Sequence, residues 1–447
     1  MSPIPVLISG GGVGGLMSAL ECHRRGFSVR VFEKTADVVT SGDSFAIGPT
    51  ASNAVKKWPW MSKRCEEIEF HPLIAFHDAS GKRQRGPINF DEMMSKQIKN
   101  PPRMGRHSRP KFHAMLIEQL SQVGIHVEYG KEAMDYGEEA DRAYVRLKDG
   151  SKYHADLVIA AEGVGSTSGS IVGGQPVRAR RTGDAVFRAS WPVELALADP
   201  LVAETFEENV VQVWSGEGFF GIFARGKEDF SIGIVHPDKG TAEESWSQRV
   251  SHDDVLALTK AIPNWPEVGT RAITSCPEDL LIDYKLVWRD PQPTWTSPAG
   301  RVVQLGDAAH TFLPQSGNGA TQAIEDAVSL ATCLALAGSR EKIAGATRVH
   351  NKLRFERVSC LQAFGVSNSS KFKKKADSMH MSRWIVEHDP EKYAEENYGA
   401  ALQCLEQGQT WVNTNTPPGM TYTPWTIDTL LEAQERGEPT VLDGDWA

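Results

Sequence analysis

The chain has 447 residues, 40% hydrophobic and 23% charged, a composition that folds and excludes a disordered tail. At about 150 residues per domain, two or three domains are expected. Asp and Glu (57) outnumber Lys and Arg (48), for a net charge of −9, so nucleic acid and anionic membrane are poor main partners.

No run of about 18 consecutive apolar residues marks a transmembrane helix. Residues 1–5 carry no basic region of the signal-peptide kind. The six cysteines (22, 65, 276, 333, 360, 404) form no C-x-x-C pair, so a disulfide scaffold and a zinc ribbon lose support and a reducing cytosol is expected. Thirteen histidines contain no H-E-x-x-H, and no metal site is expected.

Taken in chain order, the first element is Val6-Leu7-Ile8, a short apolar run suited to a parallel strand buried on both faces. Gly10-Gly11-Gly12-Val13-Gly14-Gly15 follows, then a helix-forming stretch that Gly26 stops, then a second strand, Val29-Arg30-Val31-Phe32, ending at Glu33 and Lys34. This is a βαβ unit with G-x-G-x-x-G in its turn. Gly10 permits the turn, Gly12 lets backbone approach a pyrophosphate, and Gly15 packs helix on strand. Val13 and Gly14 open the helix, whose free N–H groups and dipole favour phosphate. Glu33 is placed to accept from the ribose hydroxyls and disfavours a 2′-phosphate, so FAD or NAD is the expected ligand. Residues 178–271 alternate apolar and polar, as in Val210–Trp214 and Phe230–Ile234, and predict an antiparallel sheet with one covered face. Near residue 302 the strand Val302-Val303-Gln304-Leu305 leads into Gly306-Asp307-Ala308-Ala309-His310. Pro314 and Gly317-Asn318-Gly319-Ala320 then open a helix, a second anion-binding geometry. From about residue 346 helices and then an extended tail are expected.

The second block, from Gly306 to Ala327, resembles without a gap that of the group A flavoprotein monooxygenases, the salicylate and p-hydroxybenzoate hydroxylase type. The resemblance implies an α/β fold: a Rossmann-type FAD-binding domain with an inserted antiparallel β-sheet substrate domain and a helical C-terminal region. Residues 1–70, 100–177 and 272–345 would form the FAD-binding domain, 71–99 and 178–271 the substrate domain, and 346–447 the C-terminal region. Asp307 would hold the ribityl chain. Pro314, Gly317, Gly319 and Ala320 would bring a helix N-terminus to the flavin's pyrimidine edge. Arg109 resembles the arginine that reaches the pyrophosphate, Ala46 lies in a loop resembling the one along the flavin, and Arg188 resembles an active-site arginine. Two departures stand out. The family's Asp-Gly motif, followed by Ser and Arg, appears as Glu162-Gly163 with Ser166 and no arginine. A tyrosine roughly thirty residues after the arginine, frequent in phenol hydroxylases of this type, is missing where Phe219 and Phe220 stand.

The implied chemistry is reduction of FAD by NADPH or NADH, addition of O2 at flavin C4a, and delivery of one oxygen from the hydroperoxide to an electron-rich aromatic small molecule. The catalytic pair is expected to be Arg188 with Asp43, similar to fungal alkaloid enzymes that epoxidise indole C2–C3 and rearrange the product to a spiro-oxindole. A phenol or salicylate-type hydroxylase is the alternative. A non-catalytic FAD-fold binding protein would not need the cradle from Asp307 to Ala320. An aromatic roof over the site is sought in Trp191, Trp214, Phe219, Phe220 and Phe223. His310 is expected to bond local backbone.

Overall fold

The computed structural model describes residues 3–38, 44–89, 92, 105–173, 180–216, 219–238, 240, 248–313, 316–372, 383–436, 438 and 444–445. Asp43 and Pro314 lie outside them.

A five-stranded parallel sheet runs in the order Val302–Gln304, Leu157–Ala160, Pro5–Ser9, Ser28–Phe32, Val127–Glu128. Val6, Leu7 and Ile8 are buried on both faces, as parallel strands under two covering layers require. One face packs on helices that include Val13–Arg24, Arg109–Gln122 and Gly319–Ala337 through Leu16, Leu20, Leu116, Ile324 and Val328. The other face carries Leu7, Phe32 and Val158 against Tyr136 and Val145 of a three-stranded antiparallel sheet. A small sheet, Ser44–Ile47, Gly105–Ser108 and Glu69–Phe70, sits beside the helices.

The large sheet has seven strands: Ile282–Trp288, Arg180–Pro192, Asp229–Pro237, Phe219–Arg225, Val210–Gly216, Leu73–Asp78 and Arg83–Asn89. Three features differ from the sequence reading. The sheet is mixed, because Val210–Gly216 pairs parallel with Leu73–Asp78. Ile282–Trp288, assigned above to the cofactor part, is an edge strand here, pairing antiparallel with Arg180–Pro192. Val210 to Trp214 are all buried, so this strand is covered on both sides despite its alternation. On its second face Val213 is flanked by Phe76 and Ile222 of the neighbouring strands.

The C-terminal helices Ile343–Phe372 and Pro390–Gln407 pack on the cofactor-side core, through Val349, Leu353, Ala394 and Ala401. Among the described residues the tail holds one further helix, Ile427–Glu435, tied down where the Ile427 N–H donates to Asp290 at 2.8 Å and Trp425 Nε1 donates to Ser359 at 2.9 Å. No helix among the described residues is long and apolar enough to cross a membrane.

Candidate active site

The first glycine turn is shaped by contacts no side chain could share. Gly10 has φ +111°, and a Cβ there would lie 2.2 Å from the Ala161 carbonyl oxygen. A Cβ on Gly15 would lie 1.9 Å from the Gly10 carbonyl oxygen, and one on Gly14 would lie 2.8 Å from Leu305. Gly12 is different: a Cβ there would meet no protein atom within 4 Å. The helix begins at Val13 with no side-chain cap, so its first N–H groups face an open space. At the strand end, Glu33 accepts from the Gly11 N–H at 2.7 Å and the Thr35 N–H at 2.9 Å, while Lys34 beside it is exposed. His113, on helix Arg109–Gln122, meets the Gly11 carbonyl at 2.7 Å and fixes the turn from outside.

The second turn is held by charge. Gly306 (φ +61°) donates its N–H to Asp326 at 3.2 Å, and His310 Nε2 meets the same carboxylate oxygen at 2.5 Å. His310 therefore bonds a side chain 16 residues further along the chain rather than the local backbone expected for it. Arg354 donates to Asp326 at 2.8 Å and to Glu325 at 2.6 Å, and Arg357 donates to Glu325 at 2.9 Å. Arg357 also reaches the carbonyls of Trp384 and Ile385, each at 2.9 Å, so the C-terminal segment joins the same cluster. All four charged residues are buried, and against that burial Arg357 and Arg354 hold Glu325, and His310 and Arg354 hold Asp326, far below the ordinary carboxyl range. Burial drives His350, beside them, down to about 3, so it stays neutral. Ala46, expected in a loop, lies in the strand Ser44–Ile47, and the Gly48 N–H just beyond it donates to Thr321 at 2.9 Å, which ties that strand to the helix that Gly319 and Ala320 begin. Gly317 has φ +63°.

Asp307 and Arg109 are solvent-reachable in the cleft between these turns. Its crowded walls still raise the Asp307 carboxyl, against the pull of His310, Arg109 and Arg289. Burial lowers the Arg109 guanidinium, against Asp307 and then Tyr284, and the cation stands 5.3 Å over the Phe45 ring. Glu162 is pushed up to about 7 by burial, although Ser166 donates to it at 2.9 Å and Tyr136 also bonds it. Next to it, Gly163 has φ +80°. Arg289 donates to the Val164 carbonyl and, at 2.9 Å, to Thr311, bridging the Glu162 turn and the Asp307 turn. A cavity of about 250 Å³ opens beside this bridge, lined by Ser166, Gly169, Arg289 and Gln304.

Over the cleft, strand register sorts the large sheet into two faces. Arg188 pairs with Gly233 and Ile282, and the same row continues through Ile222, Val213 and Phe76. Phe220 shares this face through Val235 and Val186. Trp191, Trp214, Phe219 and Phe223 do not. They pack on the opposite face with Phe206, Val255 and Ile273 of the covering helices, so of the expected aromatic roof only Phe220 stands with Arg188. Arg188 is half-buried, and burial lowers its guanidinium to about 10 against the pull of Tyr284.

A βαβ glycine turn, a second glycine turn opening a helix, and an arginine-bearing sheet above them are the parts of a flavin monooxygenase. The family model described as an FAD binding domain matches residues 3–343. FAD-dependent monooxygenase fsr3 of Gibberella fujikuroi is 37% identical, over 99% of this chain and 90% of its own. The chain belongs to this family. Among solved structures, FqzB superposes with a TM-score of 0.81 at 29% identity, over 93% of this chain and 98% of its own. CtdE, in complex with FAD and a substrate, matches with the same TM-score of 0.81 at 27% identity, over 90% of this chain and all of its own (100%). This chain is thus an FAD-dependent monooxygenase that uses NAD(P)H and O2.

The residues fit that cofactor. Open space at Gly12, an uncapped helix start, and an acid and a base facing each other across an open cleft suit a ligand with phosphates and hydroxyls. Sequence reasoning missed His113, Arg289, Asp326 with its arginines, and Tyr284. None stands in a local motif except Asp326, whose fixed distance from Gly306 was visible without its reason.

Proposed function

We propose that this monooxygenase places one oxygen atom on an electron-rich aromatic or heteroaromatic small molecule lying between the cleft and the large sheet. The observation that carries the reading is a half-buried guanidinium, Arg188, on a sheet face that also carries the apolar side chains Phe76, Val213, Phe220 and Ile222. Reduced FAD supplies the oxygen-activating chemistry. The chain's own residues hold and orient. Gly10, Gly12, Val13, Gly14 and Gly15 would take the pyrophosphate with Arg109, Glu33 with Lys34 beside it would face the ribose, and Glu162 and Gly163 would back it. Asp307 would accept from the ribityl hydroxyls, while Ala46, Gly317, Gly319 and Ala320 would border the flavin ring. Arg188 would donate to an oxygen of the substrate or to charge developing on its ring. The apolar row would keep water away.

Phenol hydroxylation gains from Tyr284, a hydroxyl the sequence reading did not place at the site. Indole C2–C3 epoxidation with rearrangement to a spiro-oxindole gains from Phe220, which stands on the Arg188 face without a hydroxyl. The fungal full-length relatives support a role in secondary metabolism. The test is mass spectrometry of NADPH reactions under labelled dioxygen, with indole alkaloids and simple phenols offered separately. One labelled oxygen in an aromatic product is expected, and Arg188→Ala should abolish it with flavin still bound. Label in no product of either panel would remove the reading, and unchanged turnover in Arg188→Ala would remove Arg188 from it.

A further inference from the structure

We propose that Tyr284 is a second substrate-contacting residue, whose hydroxyl works with the Arg188 guanidinium on one hydroxyl group of the aromatic substrate. The inference rests on the proposed function and specifies its substrate: a ring bearing a free phenolic or enolic hydroxyl.

Strand geometry places Tyr284. Its neighbour Asp283 lies on the far face of the sheet, bonded to His236 at 3.0 Å, and His236 stacks on Phe187 with ring centroids 3.8 Å apart. Successive side chains of a strand point to opposite faces, so Tyr284 points to the cleft. Tyr284 pairs with Val186, and Arg188 pairs with Ile282, so Tyr284 and Arg188 are diagonal neighbours on one face. Long side chains on such a diagonal reach each other's surroundings. Electrostatics agrees: the phenolic oxygen acts on Arg188, and also on Arg109, which in turn faces Asp307. Tyr284 thus stands on the Arg188 face of the sheet, near enough to both arginines for its phenol to act on each.

The chemistry follows from the two groups. A guanidinium only donates, whereas a tyrosine hydroxyl both donates and accepts. A substrate hydroxyl between them can accept from Arg188 and donate to Tyr284. A methyl ether can do only the first, and it leaves the tyrosine oxygen without its donor. A tyrosine arriving on the sheet's edge strand, nearly a hundred residues beyond Arg188, would do this where no tyrosine follows at closer sequence range.

The holoenzyme is titrated with 2-naphthol and, separately, with 2-methoxynaphthalene, following the flavin absorption band. The native enzyme should bind 2-naphthol at least about tenfold more tightly than the ether, as the loss of one hydrogen bond to the tyrosine oxygen requires. Tyr284→Phe should erase that preference at unchanged flavin content and unchanged affinity for the ether. Equal affinity of the native enzyme for the two probes, no binding of either, or a preference that survives Tyr284→Phe would overturn the proposal. The native enzyme alone decides the first two outcomes, so a poorly folding variant does not protect the idea. The labelled-dioxygen reaction is read independently. Label in product with the preference intact in Tyr284→Phe removes only Tyr284. A tyrosine-dependent preference without label in any product removes only the oxygenation reading.

Discussion

The two glycine turns that face the cofactor cleft are built by opposite means. The first, from Gly10 to Gly15, is held by exclusion: atoms approach so closely that three of its glycines admit no Cβ without a clash. The second, at Gly306, is held by attraction, through a carboxylate that receives its N–H and is itself locked by His310 and Arg354. A turn of the first kind carries its instructions locally. A turn of the second kind borrows them from side chains on other helices, and so couples the cleft to the C-terminal segment through Arg357.

The contrast can be broken at its strongest point. Gly15→Val should prevent folding of the parallel-sheet core, seen as loss of soluble, flavin-binding protein, because the Gly10 carbonyl sits 1.9 Å from the nearest new atom. Soluble yellow protein from this variant would show that the turn is not held by exclusion. Next, Asp326→Ala should cost about 3–5 kcal/mol in denaturant unfolding, since Arg354 is left buried with a lost partner. A double variant, Asp326→Leu with Arg354→Met, should recover much of that loss. An equally unstable double variant would mean the carboxylate's bond to Gly306, and not the charge pair, dominates.

Gly12→Ala separates ligand from fold within the first turn. With no protein atom within 4 Å of the added methyl, the melting temperature of flavin-free protein should not move, while FAD affinity should drop. A drop of about tenfold or more is expected where backbone must approach a pyrophosphate. Unchanged affinity would place the phosphates elsewhere.

A further contrast lies in pH. Glu162, backing the first turn, is raised from 4.5 to about 7, so the folded state holds its proton while the unfolded state has lost it. Its contribution to stability therefore falls as pH rises from about 4.5 to about 7. Asp326 and Glu325, behind the second turn, are depressed, so their contribution is present above the ordinary carboxyl range and is lost as pH falls below it. Glu162→Gln should flatten only the fall between these values in a stability–pH curve. A curve unchanged by the substitution would show that Glu162 is ionised throughout.

Much of this was open to reading in the sequence. Apolar period, glycine spacing and a terminal acid are local quantities, so the βαβ unit at 5–33 and the strand–turn–helix block at 302–327 could be found from residues within one or two turns of each other. The alternation of Phe230 to Ile234 likewise announced a strand, and its buried face agrees with that pattern. Which face looks at the cleft was not encoded locally. Trp214 and Phe220 lie six residues apart in neighbouring strands, yet register sends one into the back core and the other to Arg188.

The sequence by itself determined the two glycine turns and an alternating sheet over 178–271, because each follows from short-range sterics and periodicity, whereas FAD in place of NAD and the interest in Arg188 came from the resemblance to a known family. The tertiary structure alone decided that Ile282–Trp288 closes that sheet, that Tyr284 joins Arg188, that Arg289 bridges the two cleft turns, and that Arg354 and Arg357 lock the second of them. These residues act through partners tens to hundreds of positions away. Their roles depend on long-range packing and burial, which give a distant charge or hydroxyl its strength and leave no mark in the local pattern.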